Sequence, residues 1–543
     1  MRTLIDVFLE EQASTTAVQR FAQRHADATE HMLQRFYSDL LPASPPAPGQ
    51  QYAFDVDLDA CSGCKACVTA CGALNGLEAS EHWRDVGALV GTADRAVTQA
   101  VTTACHHCVD PGCLSGCPVD AYEKDPVTGI VRHLDDQCIG CRYCTLTCPY
   151  EVPQYSTDLG IVRKCDMCHD RLTEGEAPAC VQACPTRAIA IRVVDVEEFA
   201  AGRAFPFAAP DASHTAPTTN YRTTRDLRTG VDPANLRAVR PSHAHVPLTA
   251  MLVLTQAAVG GFSVLTALEA RGVLEGSARS DGAIASMLLA VVALIASVAH
   301  LGRPHLAWRA VLGLRHSWLS REIIAFSAFA ALGVGAAAQH LGLVSPTIPE
   351  LSAAASAVGV GAVLSSAMVY AVTGRRLWRA SRTVARFLVT SLAAGGALAV
   401  VAIAASAARA PTAVGPSDGG PVVAGVLRGS QVATAVALVA VVVGAAMDMG
   451  LLRHARRGPS DAMGRTALLL RGPLRGAVQA RVVLGAVGAC LLVVASSTIA
   501  DRQSGPELAF AVLALCAIIG AELVQRWWFF TAEADLRMPG GRA

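Results

Sequence analysis

Sixteen of the 18 cysteines fall into four groups of four, and this spacing constrains the chain more than any other feature. Two groups have the C-x2-C-x2-C-x3-C spacing of bacterial ferredoxins, and the other two widen only the middle gap. Three closely spaced thiolates reach three iron corners of a cubane cluster, and the fourth cysteine ligates the other cluster of a pair. The pattern therefore predicts iron–sulfur clusters. The groups are Cys61, Cys64, Cys67 and Cys71; Cys105, Cys108, Cys113 and Cys117; Cys138, Cys141, Cys144 and Cys148; and Cys165, Cys168, Cys180 and Cys184.

Zinc and disulfides are the alternatives for so many thiols. Zinc ribbons use pairs of CxxC separated by longer spacers, rather than four cysteines within eleven residues. The amino-terminal stretch MRTLIDVFLEEQ carries three acids and no uninterrupted apolar run, so it does not resemble an export signal. We therefore expect the cysteine-rich head in the cytoplasm, where disulfides are rare.

The chain changes character after Pro247, where long Ala, Val, Leu and Gly runs are separated by Arg-rich loops. About twenty apolar residues are needed to cross a bilayer as a helix, and eight stretches of that kind follow one another. The sequence thus predicts a soluble head followed by an eight-helix membrane bundle. The predicted spans are 248–268, 281–301, 322–341, 350–372, 384–406, 430–451, 481–500 and 507–529. The net charge of +1 gives no sign of a nucleic-acid partner.

Arginines are concentrated in the loops on the head's side of the predicted bundle. Because positively charged loops stay in the cytoplasm, the distribution predicts an inner-membrane protein whose head faces the cytoplasm. The predicted head-side loop arginines are Arg303, Arg309, Arg315, Arg321, Arg375, Arg376, Arg379, Arg382, Arg386, Arg453, Arg456, Arg457, Arg465, Arg471, Arg475 and Arg481. The opposite side carries Arg271, Arg279, Arg409, Arg428 and Arg502.

The ionisable residues inside the predicted spans include four that are predicted to lie toward the head-side end. They are His300, Glu322, Asp448 and Glu522. Ionisable groups in a membrane are costly and usually functional, so this end is the expected site of redox or proton chemistry. Their position argues against a proton path through the bundle. Since no histidine lies mid-span, we predict no haem, which would need axial ligands there.

Residues from Phe54 to Val194 resemble the iron–sulfur subunit of dimethyl sulfoxide reductase-type molybdoenzymes, which is similar to those of polysulfide reductase and formate dehydrogenase. The four cysteine groups, CPVDAYEKDPVTGIV, DDQCIGCRYC and IVRKCDMC carry the resemblance. It implies that group one pairs with group four and group two with group three, which gives four 4Fe–4S clusters. The implied ligand sets are Cys61, Cys64, Cys67 and Cys184; Cys71, Cys165, Cys168 and Cys180; Cys105, Cys108, Cys113 and Cys148; and Cys117, Cys138, Cys141 and Cys144.

The membrane part resembles the quinol-oxidising, eight-helix anchor of the same family through GGFSVLTAL, HLGRPHLAWRAVL with SWLSREI, and GAELVQRWWFF. The resemblance implies a menaquinol site with His300 and Glu322, in which Glu322 accepts a proton and Arg303 steers a quinone oxygen. Alternatives remain for each residue. In the alternative interpretation, Glu322 is a first-turn glutamate that the helix dipole favours after Ser320. His300 is then an interfacial histidine, and Arg303 anchors the loop.

These features predict an α+β ferredoxin-like, four-cluster head followed by an all-α eight-helix bundle. The expected segments are 1–50, with helical periodicity over 16–40 and a Pro-rich linker; 51–200, the cluster domain; 201–246, a linker wrapping the head; and 247–543, the anchor. The resemblance implies electron transfer from quinol to a separate molybdopterin subunit that reduces dimethyl sulfoxide, nitrate or a similar substrate. Two rival functions are the reverse flow, from a formate-type dehydrogenase to quinone, and a non-catalytic metal-binding membrane sensor or scaffold.

Overall fold

A computed structural model describes most of the chain. The described residues are 3–13, 19, 36–92, 95–201, 205, 207, 209–274, 277–345, 347–409, 420–501 and 506–539. Helix α1 spans Leu4–Ala13, whereas most of the segment predicted to be helical over 16–40 lies outside the described residues.

The head is built on short sheets rather than one large sheet. Strand β1 is central in the first sheet, antiparallel to β8 and parallel to β9, and β2 is central in the second, between β3 and β10. Two hairpins, β4–β5 and β6–β7, complete the head. The strands are β1 Gln50–Asp57, β2 Asp85–Gly91, β3 Thr98–Thr103, β4 Tyr122–Lys124, β5 Val131–His133, β6 Gln154–Ser156, β7 Ile161–Arg163, β8 Ile189–Asp195, β9 Asn220–Arg222 and β10 Val231–Pro233.

The head helices are short, and four of them hold cysteines. They are α2 Ala66–Asn75, α3 Gly112–Gly116, α4 Tyr143–Thr147, α5 His169–Thr173, α6 Ala179–Gln182 and α7 Val196–Ala200. In each group the third cysteine lies in α2, α3, α4 or α6, and the fourth lies in the same helix or within two residues of its end. A four-residue step is about one helical turn, so each helix sets the spacing between its last two sulfurs. The predicted fold class of the head is confirmed.

The membrane part contains eight helices that, among the described residues, are long and apolar enough to cross a bilayer. This confirms the predicted number of spans and a multi-pass membrane protein. The spanning helices are α8 Val246–Ala270, α9 Ser277–Ala299, α10 Trp318–His340, α11 Leu351–Ala371, α12 Ala380–Arg409, α13 Gly420–Leu452, α15 Arg475–Asp501 and α16 Pro506–Thr531, and the short α14 spans Ala462–Arg471. A 3-10 helix, Pro304–Arg315, connects α9 to α10.

Helices α8 and α12 form the enclosed centre of the bundle. They touch through backbone, because a Cβ on Gly260 would overlap the Ser391 carbonyl oxygen and one on Gly395 would overlap the backbone of Gly260. Small residues allow such close approach where the lipid gives helices no hydrophobic drive to associate. The Ala- and Gly-rich composition of these spans is thus used for packing.

The assignment of Arg386 and Arg481 to loops is wrong. They lie inside α12 and α15, are almost completely buried, and form ion pairs with Asp448 and Glu522. Both arginines stand at the start of a predicted apolar stretch, where sequence alone does not show whether the helix has already begun. The first turns of these helices extend four to six residues before the apolar run.

Candidate functional site

The same backbone turn recurs in all four cysteine groups. The residue two positions after the first cysteine is left-handed in each, with φ of 74° at Gly63, 41° at His107, 70° at Gly140 and 61° at Met167. In two groups the amide of that residue donates to the sulfur of the first cysteine, over 3.4 Å from Gly140 and 3.4 Å from Met167. The turn thereby directs a backbone dipole at a ligand sulfur, which stabilises its negative charge.

A second turn follows the fourth cysteine in the three groups that continue with proline. The third residue after that cysteine is left-handed, with φ of 54° at Asp120, 55° at Glu151 and 56° at Arg187. The next amide then donates to the cysteine sulfur, 3.3 Å from Ala121 to Cys117 and 3.2 Å from Ala188 to Cys184. The Cys-Pro sequence therefore fixes sulfur orientation as well as spacing.

The fold brings thiols of different groups together, and none of the 18 cysteines, all of which lie within the described residues, forms a disulfide. Cys61 has Cys184 as an electrostatic neighbour, Cys71 has Cys180, Cys113 has Cys148, and Cys141 has Cys117. Burial raises the pKa of Cys117 and Cys148 to about 11, so a thiolate there needs a positive partner. Iron supplies that charge, and sulfur-only donor sets of this kind fit an iron–sulfur cluster.

Two buried cations lie among the cysteines and offset the negative charge of sulfur ligands. The Lys164 ammonium is 3.7 Å from the Cys105 sulfur and donates to the Cys165 carbonyl at 2.8 Å. Arg84, which no sequence pattern predicts, is buried with Cys180 and Cys67 as its strongest charge partners. Arg84 stands before β2, far from any cysteine in sequence, so spacing gives no signal for it.

The head rests on the anchor through the loops of groups two and three. The Arg303 amide donates to the Ile139 carbonyl at 3.0 Å, the Gly313 amide to the Pro118 carbonyl at 2.9 Å, and the Ser317 hydroxyl to the Gly116 carbonyl at 2.7 Å. These carbonyls belong to residues next to Cys117 and Cys138. The thiols of Cys117 and Cys138 therefore lie close to the anchor.

An apolar cavity of about 290 Å³ lies at this junction. The head contributes the loop of Cys141, Arg142 and Tyr143, and the anchor contributes residues before α8 and from α8 to α11. Its lining includes Ile139, Cys141, Arg142, Tyr143, Leu146, His245, Leu248, Met251, Leu294, Ser297, Val298, His300, Leu301, Ala307, Ala310, Leu319, Glu322, Ile323, Phe326, Ser327, Val369 and Tyr370. Neither part of the chain forms this cavity alone.

Glu322 and His300 both line the cavity, and each has a buried atom without a hydrogen-bond partner in the described part of the chain. These atoms are Glu322 Oε1 and His300 Nδ1. Glu322 is the fifth residue of α10, which begins after Ser317, so it lies one position beyond the first turn. Burial lowers the pKa of His300, so the imidazole is neutral. Arg142, on the head side of the lining, also has an unpaired buried atom, Nε. Unpaired polar atoms in an apolar cavity indicate a ligand with polar groups to match them.

The third residue assigned to the site, Arg303, is not among the cavity-lining residues. Its guanidinium donates to the Asp135 carbonyl at 2.7 Å, and its amide holds the Ile139 carbonyl. These contacts favour the loop-anchor alternative over contact with a quinone oxygen. The cavity lining also includes three residues that were not predicted, namely His245, Tyr143 and Tyr370. Their place in the cavity depends on the contact between head and anchor, which joins residues far apart in the sequence.

Residues 96–194 match the family described as 4Fe-4S dicluster domain, and residues 241–531 match the DMSO reductase anchor subunit (DmsC) family. The chain belongs to the dimethyl sulfoxide reductase family. It joins in one polypeptide an iron–sulfur subunit and a membrane anchor subunit of that family, which confirms the predicted resemblance.

Curated relatives match the head. The B subunit of the anaerobic dimethyl sulfoxide reductase of Haemophilus influenzae is 37% identical over 156 residues, covering 27% of this chain and 76% of the relative. Its Escherichia coli K12 counterpart is 38% identical over 154 residues, 27% of this chain and 75% of the relative. The formate dehydrogenase-O iron–sulfur subunit of E. coli K12 is 35% identical over 151 residues, 25% of this chain and 50% of the relative. This head therefore resembles electron-transfer subunits from more than one kind of complex.

Proposed function

We propose that the protein oxidises menaquinol or a related quinol at the cavity and passes electrons to a separate molybdopterin catalytic subunit that reduces dimethyl sulfoxide, nitrate or a similar substrate. The observation that carries the proposal is the pair of unpaired polar atoms, on Glu322 and His300, in an apolar cavity that also touches Cys141. A quinol head group is apolar with a hydroxyl at each end, so it matches this lining.

Sixteen cysteines would hold four 4Fe–4S clusters. The proposed sets are Cys61, Cys64, Cys67 and Cys184; Cys71, Cys165, Cys168 and Cys180; Cys105, Cys108, Cys113 and Cys148; and Cys117, Cys138, Cys141 and Cys144. When bound, such clusters supply one-electron carriers between the cavity and the catalytic partner. The chain's own residues orient the sulfurs by the two recurring turns and offset their charge through Lys164 and Arg84.

In the cavity, the side chains bind the quinol and receive its protons. Glu322 is the proposed proton acceptor, because its carboxyl is the buried acid on the lining without a partner for Oε1. Neutral His300 holds the other quinol oxygen by a hydrogen bond. Arg303 fixes the loop between α9 and α10 against the head, which keeps His300 beside the Cys141 loop.

The test is Glu322→Gln, which keeps the shape but removes the base. We expect quinol oxidation to fall about 10²- to 10⁴-fold, the usual contribution of a general base, while reduced viologen, a soluble donor that bypasses the cavity, still drives the complex. Glu350→Gln is the matched control, because Glu350 is exposed at the opposite end of the bundle. Unchanged quinol oxidation in Glu322→Gln would exclude Glu322 as the acceptor.

Cluster number and partner are tested on the native complex purified by mild detergent extraction, with iron, zinc and molybdenum counted together. About sixteen irons per chain, with molybdenum and a large second subunit, would support the proposal. Zinc in place of iron, or iron without a partner, would instead favour the sensor or scaffold function.

We place the protein in the inner membrane with its head in the cytoplasm. Arginines in the loops and at the helix ends on the head's side support this orientation. Arg386 and Arg481 no longer count toward it, and Arg321, Arg382 and Arg475 lie in the first turns of α10, α12 and α15 rather than in loops. A reporter fused after Ala543 that is active only in the periplasm would overturn it.

The opposite direction of flow is a second candidate, because the head is 35% identical to the iron–sulfur subunit of a formate dehydrogenase. The same cavity would then reduce quinone. Cluster potentials measured against the quinone couple separate the two directions, since the clusters must lie above the quinol potential to accept its electrons.

A further inference from the structure

The cavity has a second histidine in its wall, His245, which the proposed quinol chemistry does not use. His245 precedes α8 and is held left-handed, with φ of 43°. Its ring lies 4.7 Å, centroid to centroid, from the ring of His243, and His243 is exposed to solvent on the head side. The two neighbouring imidazole rings therefore connect the cavity wall, at His245, to solvent, at His243.

The segment that carries both rings is fixed at each end. Ser242 is bound to the end of the chain, because its amide donates to the Thr531 carbonyl at 2.9 Å and its hydroxyl to the Glu533 carbonyl at 2.8 Å. On the other side, the Thr249 amide donates to the His245 carbonyl at 3.0 Å. The His245 amide also donates to His243 Nδ1 at 3.2 Å. The ring pair is therefore a defined arrangement rather than a chance approach of two loop residues.

We propose that His245 and His243 form a proton exit that carries quinol protons from the cavity to water on the head side. The proposal rests on the proposed quinol site. Oxidation of one quinol to quinone releases two protons and two electrons. The electrons leave through the proposed clusters of the head. Each proton binds one nitrogen of His245 while the other nitrogen releases its proton to His243. The protonated His243 then releases a proton to water, so both rings are neutral again after each transfer.

The surroundings of His245 suit a carrier that does not keep the proton. Burial first, and then electrostatic repulsion from neighbours that include Arg142 and Arg375, lowers the pKa of His245 to about 3. Phe530 packs on its other side, with ring centroids 5.4 Å apart. A cation on His245 is thus short-lived, and exposed His243 is the neighbouring group that water can discharge.

The test uses the whole complex with His243→Ala and His245→Gln. We expect quinol oxidation to fall about 100-fold in each, the low end of proton-transfer contributions, with a larger solvent deuterium isotope effect. Added imidazole should restore most of the activity of His243→Ala, because that site is open to solvent. His305→Gln is the control, since His305 is exposed on the same side but lies outside the cavity lining.

Each outcome separates this proposal from the one it rests on. Viologen-driven activity and the melting temperature should stay at wild-type values in all variants, which shows that the protein is folded. If Glu322→Gln blocks quinol oxidation while both histidine variants match His305→Gln, the quinol site stands and the proton exit is wrong. A slow His243→Ala variant that imidazole does not restore also overturns the exit. If Glu322→Gln oxidises quinol normally, the quinol site itself fails.

Discussion

Glu522→Gln should destabilise the membrane bundle more than a surface change of the same kind. Glu522 is buried in α16 and accepts hydrogen bonds from Arg386 Nη2 at 2.9 Å and from Thr390 Oγ1 at 2.7 Å. Its other oxygen lies 2.9 Å from Arg481 Nη2. The carboxylate therefore joins α16 to both α12 and α15, and the amide of glutamine removes its charge from all three contacts.

The expected cost follows from the charge balance. Three buried guanidinium groups, on Arg386, Arg481 and Arg526, face two carboxylates, on Asp448 and Glu522, so the cluster carries a formal charge of +1. The substitution raises this to +2 inside the bundle. Breaking a buried pair from one side costs about 3–5 kcal/mol. Re-pairing of Arg386 and Arg481 with Asp448, which already lies 3.8 Å and 3.2 Å away, favours the lower end.

The assay is equilibrium unfolding of the detergent-solubilised protein in sodium dodecyl sulfate, followed by fluorescence of the buried tryptophans. Glu350→Gln, at an exposed position, should change the free energy of unfolding by less than about 0.5 kcal/mol. The double variant Glu522→Gln with Arg481→Gln returns the cluster to +1 and should recover part of the loss. A Glu522→Gln protein within about 1 kcal/mol of wild type would refute the reasoning and indicate that water already solvates these arginines.

Two further predictions concern the junction of head and anchor. Gly302→Ala should weaken quinol-driven reduction but spare viologen-driven activity, because the new Cβ would overlap the Gly160 carbonyl oxygen; Gly361→Ala, with open space around it, is the control. Asp535→Asn should remove the pH dependence of the free energy with which the segment after α16 docks beside Arg376. Burial, and then Glu533, raise the pKa of Asp535 to about 6, so the docked end binds the proton more tightly than the free end. Docking should weaken from about pH 4 to pH 6 in the wild type and stay constant in Asp535→Asn, as measured by hydrogen exchange.

The cluster region was largely predictable because its information is local. The spacing of Cys138, Cys141 and Cys144 specifies a tight loop, and Gly140 is the residue type that adopts its left-handed turn without strain. His107 and Met167 take the same turn without being glycine, so residue type alone does not reveal it. All four groups share the constraint that the sulfurs must reach fixed positions. The spacing of the cysteines encodes these positions, whereas the type of residue between the cysteines does not.

The cavity was predictable only in part. Glu322 and His300 stand out because ionisable groups are rare in apolar stretches. Tyr143, by contrast, belongs to the head, and reaches the anchor by donating to the Val369 carbonyl at 2.5 Å, across 226 positions of sequence. Arg526 was not predicted for a related reason. It lies over the Phe387 ring at 4.1 Å, and no pattern in α16 alone shows that α12 will provide that surface.

The ionisable groups of the bundle together predict on which side protons are released. Asp448 lies four residues from the end of α13, and Glu522 lies nine residues from the end of α16, about 14 Å into the membrane. Glu322 is near the start of α10, at the same end. At the opposite end, Glu269 pairs with Arg279 and Asp281 pairs with Arg409. Because these charged groups are paired with each other away from the cavity, quinol protons should leave on the head side. In vesicles whose heads face outward, a pH dye outside should record acidification during quinol oxidation with an artificial electron acceptor that takes up no protons, and a dye inside should record none. Acidification of the interior would contradict this and would require a proton path across the apolar half of the bundle.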